Sequence, residues 1–538
     1  MKDRQLGIVT QGSLSKGLEM RLSPNASVED LRVGKFVVVE GKRTRFFSML
    51  TDVSLGTANP QILLDPPGEG SFLGEVLAGI GTFGNVSLQP MLMLEQDDEL
   101  RPVKTIPSHF SPVFEASADD FGTVFGREDD PHKARFNIGT PLDMDAPVCL
   151  DLERFVERSN GIFGKSGTGK SFLTRLVLCG VIQRKVAVNL IFDMHNEYGW
   201  EAYSENKATS SVKGLKQLFG NDVVVFTLDP ESTSRRGIRG AHPVEISLAQ
   251  IDIEDLMLLQ DELNLSETAV ENALILSEAL GARWMASFIE MSSSDIDLFC
   301  ENGKGHPGSL KALQRKLLKI KQLAYIKPAV THDVLEAMIK YLQEGKHVIL
   351  EFGTLNNLLS YMLATNIITR RIHKYYQEQC DRYYADRVAN KPPRKLMITI
   401  EEAHKFLAPS IAKQTIFGTI AREMRKYFVT LLIVDQRPSG IDNEVLSQVG
   451  TRITALLNDE KDIDAVFTGV SGGQNLRTVL AQLDPKQQAL VLGYAVPMPV
   501  VVRTRDYDER FYASLGVASL APEDKAKRGK DNIKQLWP

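Results

Sequence analysis

The chain has 538 residues, 43% of them hydrophobic and 24% charged, with a formal net charge of −5. Its length exceeds one ordinary domain and calls for three or four units, and its acidic balance excludes a globally basic nucleic-acid binder, so any grip on phosphate must come from a local patch. No apolar run approaches the roughly 20 residues that span a bilayer. The opening Met1-Lys2-Asp3-Arg4-Gln5 lacks the apolar core of a signal peptide, and Cys149, Cys179, Cys300 and Cys380 form no Cys-x-x-Cys pair, which speaks against zinc and for a reducing cytoplasm.

In chain order, residues 1–95 read as a small β-barrel or sandwich. Its strand signals are Leu6–Val9, Leu18–Leu22, Lys35–Glu40, Arg45–Leu50, Gly74–Ile80 and Val86–Leu94, broken by Gly-containing turns. Residues 96–147 are polar, contain prolines and read as a linker. From 148 apolar strands alternate with helices. The predicted strands are Gly161–Phe163, Val186–Asp193, Asp222–Leu228, His347–Phe352, Leu396–Ile400, Val429–Val434, Arg452–Leu457 and Ala489–Leu492. Near-continuous apolar strands between helices predict a buried, mainly parallel sheet, the α/β class. The sheet is divided between 148–245 and 346–505. Helical periodicity alone fills 246–345, a predicted insertion. The polar stretch 506–538, ending Leu536-Trp537-Pro538, reads as an arm expected to touch other subunits, as is the barrel.

Gly164-Lys165-Ser166-Gly167-Thr168-Gly169-Lys170-Ser171 matches the full G-x-x-x-x-G-K-[ST] pattern between a predicted strand and a predicted helix that opens at Phe172. Glycines there let backbone N–H groups turn inward around phosphate, at a helix N-terminus whose dipole favours anions. Lys170 is expected to reach the β- and γ-phosphates of ATP, and Ser171 to ligate Mg²⁺. The strand Lys395–Ile400 ends in two carboxylates. Glu401 is the candidate for the Mg²⁺ shell through water, and Glu402 for the general base that polarises the attacking water. Gln436, at the tip of the following strand, is either a γ-phosphate sensor or a turn residue before Pro438.

Other charged groups stay open between two readings. Arg425, then Arg422, in Ala421–Tyr427 are either arginine fingers for a neighbouring subunit or part of a solvated cationic face. Asp193 and Glu197, past the strand after the P-loop helix, either order the nucleotide or DNA side of the site or cap their own loop. Lys311, Arg315, Lys316, Lys319 and Lys321 read as a solvated helix face. Arg370, Arg371, His373 and Lys374 read as complements to a helix dipole.

Taken together these motifs resemble the HerA family, in the HerA and FtsK branch of P-loop ATPases. The carriers are Leu6-Gly7-Ile8-Val9 onward, Val156-Glu157-Arg158, the P-loop, and Asp193-Met194-His195-Asn196-Glu197-Tyr198, where Asn196 stands in place of Gly. Downstream they are Glu401-Glu402-Ala403-His404, Arg425-Lys426-Tyr427 with Met424 in place of Gly, and Gln436-Arg437-Pro438-Ser439. The resemblance implies a RecA-like ATPase core behind an N-terminal barrel. It also implies Arg158 as a further nucleotide-side arginine, and a homohexameric ring that pumps double-stranded DNA using ATP and Mg²⁺. It implies a partner nuclease of the NurA type, or another effector in DNA repair or phage defence, and no membrane. The alternatives are a VirB4-type secretion or conjugation ATPase, and a ring that scaffolds an effector.

Overall fold

The computed structural model describes residues 5–60, 64, 82–95, 99–203, 211–301, 305–355, 357–412, 415–470 and 474–516. The expected strand Gly74–Ile80 and the tip Leu536-Trp537-Pro538 lie outside the described residues.

Seven strands build the N-terminal unit: β1 (Gln5–Ser13), β2 (Gly17–Leu22), β3 (Phe36–Glu40), β4 (Arg45–Thr57), β5 (Thr82–Leu94), β6 (Leu100–Pro102) and β7 (Pro112–Glu115). Their order is β2-β1-β7-β3-β4-β5-β6, and β2 also pairs with β5, which closes the barrel. The segment expected to be a linker is therefore partly barrel. β7 slots between β1 and β3, with Phe114 opposite both Gln5 and Val38. Pro112 hid this strand, but it is the strand's first residue, a position where a proline is tolerated. The apolar run of β3 has a two-sided cause. Val37 and Val39 face the barrel core with Phe46 and Leu50, while Phe36 and Val38 face the ATPase core with Phe47 and Met49. Full burial of one such side chain contributes about 1.5–3 kcal/mol.

Helix α1 (Ala118–Phe125) follows, opened by a Ser117–Asp120 capping box. Its Phe121 stands edge-on to Phe36 at 5.5 Å and joins barrel to core. The rest of the expected linker supplies β8 (Arg135–Thr140), which pairs with β9 (Val148–Asp151).

The ATPase sheet adds β10 (Asn160–Phe163), β11 (Val188–Asp193), β12 (Val223–Thr227), β13 (His242–Pro243), β14 (His347–Glu351), β15 (Leu396–Glu401), β16 (Val429–Asp435), β17 (Thr451–Thr454), β18 (Gln488–Gly493) and β19 (Val500–Thr504). The order is β13-β12-β14-β11-β15-β16-β10-β17-β18-β19-β8-β9. The strands from β13 to β17 run parallel, and those from β18 to β9 continue the sheet antiparallel. The core is thus the mainly parallel α/β fold expected, with an antiparallel edge the sequence did not announce.

Helix α2 (Lys170–Arg184) leaves the P-loop and is buried along almost its whole length. β8 crosses it so closely that a Cβ on Gly180 would stand 2.6 Å from the Phe136 ring. Between β13 and β14 the chain is mostly helical, and α3 (Pro307–Lys321) buries Leu310, Leu313, Leu317 and Ile320. Helix α4 (Leu358–Ala385) carries Arg370, which pairs with the buried Asp255 at 2.7 Å and with Asp252. That ion-pair network, not a helix dipole, explains Arg370, and Arg371 likewise pairs with Asp333 at 3.1 Å. Lys311 pairs with Asp297 at 2.7 Å. The expected arm begins instead as packed structure. Tyr507 and Phe511 pack as tilted rings at 5.3 Å, and Phe511 meets Phe136 edge-on. No helix among the described residues is long and apolar enough to cross a membrane.

Candidate active site

The P-loop joins β10 to α2 at the carboxyl edge of the sheet, where open α/β folds bind ligands. Its glycines are required by space and by backbone. A Cβ on Gly164 would meet Thr168 Oγ1 at 2.8 Å, and Gly167 and Gly169 have φ of +79° and +84°. Thr168 Oγ1 donates to the Lys165 carbonyl at 2.7 Å and braces the loop. The loop opens onto a cleft of about 350 Å³ lined by Lys165 to Gly167 and Gly169 to Phe172, with Glu197, Glu401, Glu402 and Gln436 opposite. Burial pulls the Lys170 ammonium below its usual range, against the pull of Asp435, Glu402, Glu401 and Glu197.

β15 and β16 deliver the acids. Glu401 ends β15 and is buried; its Oε1 accepts from Tyr198 Oη at 2.8 Å, and its carbonyl accepts from Tyr361 Oη at 2.8 Å. Glu401 Oε2 is buried with no hydrogen-bond partner among the described residues. Burial first, then Asp193 and Glu197, push this carboxyl up to about 8, while Tyr198 and Lys170 pull it down. A buried, unpartnered carboxyl oxygen in the cleft that the P-loop Ser171 also lines fits the coordination shell of a hard divalent cation. Glu402 takes φ +48°, a left-handed turn that costs a non-glycine residue of order 1 kcal/mol. Its Oε1 accepts from Gln436 Nε2 at 3.1 Å, so the two candidates touch side by side on the wall that faces the P-loop.

The Asp193–Tyr198 loop is held by Asp193, whose buried carboxylate accepts from the backbone N–H groups of Glu197, Tyr198 and Gly199 at 2.7, 2.8 and 3.3 Å. Of its two readings, the loop cap describes the geometry. Glu197 instead lines the cleft, and Arg175 donates to its carbonyl. Asn196 sits at φ +58° and exchanges two hydrogen bonds with the Gly353 backbone, at 3.0 and 2.9 Å. Asn tolerates that backbone as Gly does.

The arginines lie elsewhere. Arg158 precedes β10 and Arg422 precedes β16, so both stand at the amino edge, across the sheet from the P-loop. They line one cavity of about 300 Å³ with Glu157, Ala421 and Gln448. Arg158 also lies over the Tyr494 ring at 4.3 Å. The run from Arg158 to Gly164 spans about 20 Å at strand rise. Neither arginine therefore reaches its own subunit's phosphates, and the expectation of Arg158 beside the nucleotide is corrected to that extent. Arg425 falls in the turn Met424–Tyr427 at the same amino edge, and its side chain lies outside the described residues. Phe428, not Met424, takes the left-handed backbone there, at φ +59°.

Three features carried no role in the sequence reading. Asp435 ends β16 buried and accepts from the His404 backbone N–H at 2.8 Å and from the Arg437 N–H at 2.7 Å. Its contact with His404 Nδ1 at 3.0 Å raises that imidazole above its usual range. A second pocket of about 540 Å³ adjoins the P-loop, where Phe172 faces Lys486, Arg505, Asp506, Tyr507 and Tyr512. Finally, Glu351 ends β14 as a buried acid paired with Arg236 at 2.5 Å.

Comparison with known proteins finds relatives over most of the chain. Residues 136–372 match the model of the helicase HerA central domain, and residues 6–93 match that of the HAS barrel domain, more than half of the chain between them. A DNA double-strand break repair helicase HerA of Pyrococcus furiosus is 22% identical, with 96% of this chain and 95% of that protein covered. The chain belongs to the HerA family. A second HerA relative, from Sulfurisphaera tokodaii, is 24% identical over 82% of each chain. The solved structure of VirB4 from Thermoanaerobacter pseudethanolicus is 13% identical with a TM-score of 0.45, covering 69% of this chain and 96% of that one. This HerA family member is a P-loop ATPase, an ATP-hydrolysing enzyme, and its barrel is completed by β7, beyond the matched barrel residues.

Proposed function

We propose that the protein is an ATP-driven translocase that encircles double-stranded DNA as a homohexameric ring. The observation that carries this reading is the opposition of two edges. The phosphate cleft occupies the carboxyl edge, and Arg158 and Arg422 share a cavity at the amino edge. Guanidinium groups so placed can serve phosphate only across a subunit boundary, as arginine fingers do in rings.

Within one subunit the division of labour follows from the geometry. P-loop amides and Lys170 hold the phosphates of ATP, and the neighbouring pocket lined by Phe172, Lys486, Arg505 and Asp506 receives its base and ribose. Ser171 and Glu401 would hold Mg²⁺, which supplies charge neutralisation at the β- and γ-oxygens. Glu402 orients the attacking water and takes its proton. Gln436, bonded to Glu402, reports the γ-phosphate to the loop after β16. A trans arginine, Arg425, Arg422 or Arg158, completes the site. The names of the relatives point to double-strand break repair, and a nuclease of the NurA type is the partner this reading adds.

ATPase rate with and without duplex DNA, with sedimentation in parallel, tests the proposal. A duplex-stimulated hexamer supports it. A monomer at micromolar concentration with ATP and DNA present, or a rate indifferent to duplex, refutes it.

A further inference from the structure

The carboxyl edge is wider than the nucleotide cleft. The cleft covers the ends of β10, β16 and β15. Beyond β11, on the far half of the same edge, β12 runs out into the segment Asp229-Pro-Glu-Ser-Thr-Ser-Arg-Arg-Gly-Ile-Arg-Gly240. Arg235, Arg236 and Arg239 are all exposed there, and His242 follows them. The segment is pinned at its base. Asp229 accepts from the Ser232 N–H at 2.9 Å and from the Thr354 N–H and hydroxyl at 3.0 and 2.5 Å. Gly237 and Gly240 have φ of +72° and +87°, with nothing within 4 Å of an added Cβ, so the backbone between the arginines is open to a ligand. Arg235 and Arg239 make no ion pair or hydrogen bond with any other described residue. Their segment is pinned at Asp229, whose carboxylate also feels the Arg235 cation, and both side chains are exposed to solvent.

Arg236 faces inward. It meets Glu351, whose side chain is 0% exposed, at 2.5 Å. Glu351 stands opposite Asp193 in the parallel register of β14 and β11. Its Oε1 lies so near Gly199 that a Cβ there would be 2.6 Å away. Asp193 holds the N–H groups of Glu197 to Gly199, and Tyr198 in that turn holds Glu401 at 2.8 Å. A line of contacts therefore runs from an exposed arginine to the Glu401 carboxylate.

We propose that the Asp229–Gly240 segment docks the phosphate backbone of DNA. In this assignment Arg235 and Arg239 are the solvent-facing cations, and Arg236 is the arm that links the bound backbone, through Glu351, to the loop holding Glu401. The proposal rests on the DNA reading above and locates part of the DNA site. Arginine suits it because its planar fork meets phosphate oxygens bidentately. A phosphate that draws Arg236 away leaves Glu351 buried against Asp193 without its cation. Burial and Asp193 already push Glu351 up to about 7 against the pull of Arg236. The exchange therefore shifts charge beside the loop that positions Glu401.

The test uses the full-length protein, a short fluorescent blunt duplex and a salt titration. An R235A/R239A double variant removes two exposed side chains, so its Tm should stay at the wild-type value. The slope of log affinity against log salt should become shallower by about two for each subunit that engages the duplex, as two phosphate contacts per subunit are lost. An unchanged slope and affinity overturns the assignment. If wild-type protein binds no duplex even at low salt, the DNA reading itself fails and the assignment falls with it. If the variant loses binding to poly-glutamate but keeps duplex, the segment docks an acidic polypeptide and the proposal is wrong. E351Q probes the link separately, because it frees Arg236 while keeping side-chain shape. It should bind duplex at least as tightly, yet lose the duplex stimulation of ATP hydrolysis. An unaltered stimulation ratio removes the link.

Discussion

Tyr198 and Glu401 are joined by one hydrogen bond, hydroxyl to Oε1 at 2.8 Å, between the loop after β11 and the end of β15. It is the one hydrogen bond donated to the Glu401 carboxylate by a described residue, since Oε2 has none. Tyr198 is thus a positioning residue. Removing the donor leaves a buried oxygen unsatisfied, at a cost of about 1–3 kcal/mol, so Tyr198→Phe should lower kcat by roughly 10–100-fold. KM for ATP should move little, because the P-loop is untouched. A raised KM with normal kcat would assign Tyr198 to nucleotide binding instead.

The paired Lys170 and Glu402 make a sharper contrast. Lys170→Ala should abolish both tight ATP binding and hydrolysis. Glu402→Gln keeps the bond length to Gln436 and should bind ATP while losing about 10³-fold or more in turnover, since positioning and charge stabilisation supply nearly all of phosphoryl-transfer catalysis. Equilibrium nucleotide binding and single-turnover hydrolysis separate the two. Near-normal turnover in Glu402→Gln would shift the role of base to Glu401.

The candidate phosphate site was legible in the sequence because each part is contiguous. The P-loop is one octapeptide, and Glu401 and Glu402 follow an apolar strand whose end sets their location. The central strands were legible for the same reason, as runs of buried residues. What escaped depends on pairing across distance. β7 and β8 are short, and β8 pairs with β19, more than 350 residues later in the chain. Glu351 carried the same signal as Glu401, an acid ending an apolar strand, but its partner Arg236 lies in a distant loop. The arginines were found by motif, but their edge of the sheet follows only from strand order.

The buried His347 gives a pH prediction. Its Nδ1 accepts from the Asn189 backbone N–H at 3.1 Å, so the folded state needs the neutral ring. Burial lowers its pKa from 6.5 to about 4. Because the folded value is below the unfolded one, this contribution is complete above pH 6.5 and is lost as pH falls toward 4. The full window is worth about 3 kcal/mol. Tm measured from pH 7.5 down to 4.5 should fall, and His347→Gln, which cannot titrate, should start lower but fall less steeply. Parallel acid limbs would show that His347 does not govern the slope.

The central claim is that hydrolysis needs a neighbour, and mixed rings test it most directly. Arg425→Ala, Arg422→Ala and Arg158→Ala proteins are each mixed with Lys170→Ala protein, and the duplex-stimulated ATPase rate is measured after subunit exchange. Loss of a finger costs about 10³–10⁵ in rate, so the variant that lacks the finger should be nearly silent alone, and at least one of the three should behave so. In a mixed ring the intact P-loop of a finger variant can face the intact arginines of a Lys170→Ala neighbour, and activity should return for at least one of the three. Silence in all three mixtures, with exchange demonstrated, would contradict the account.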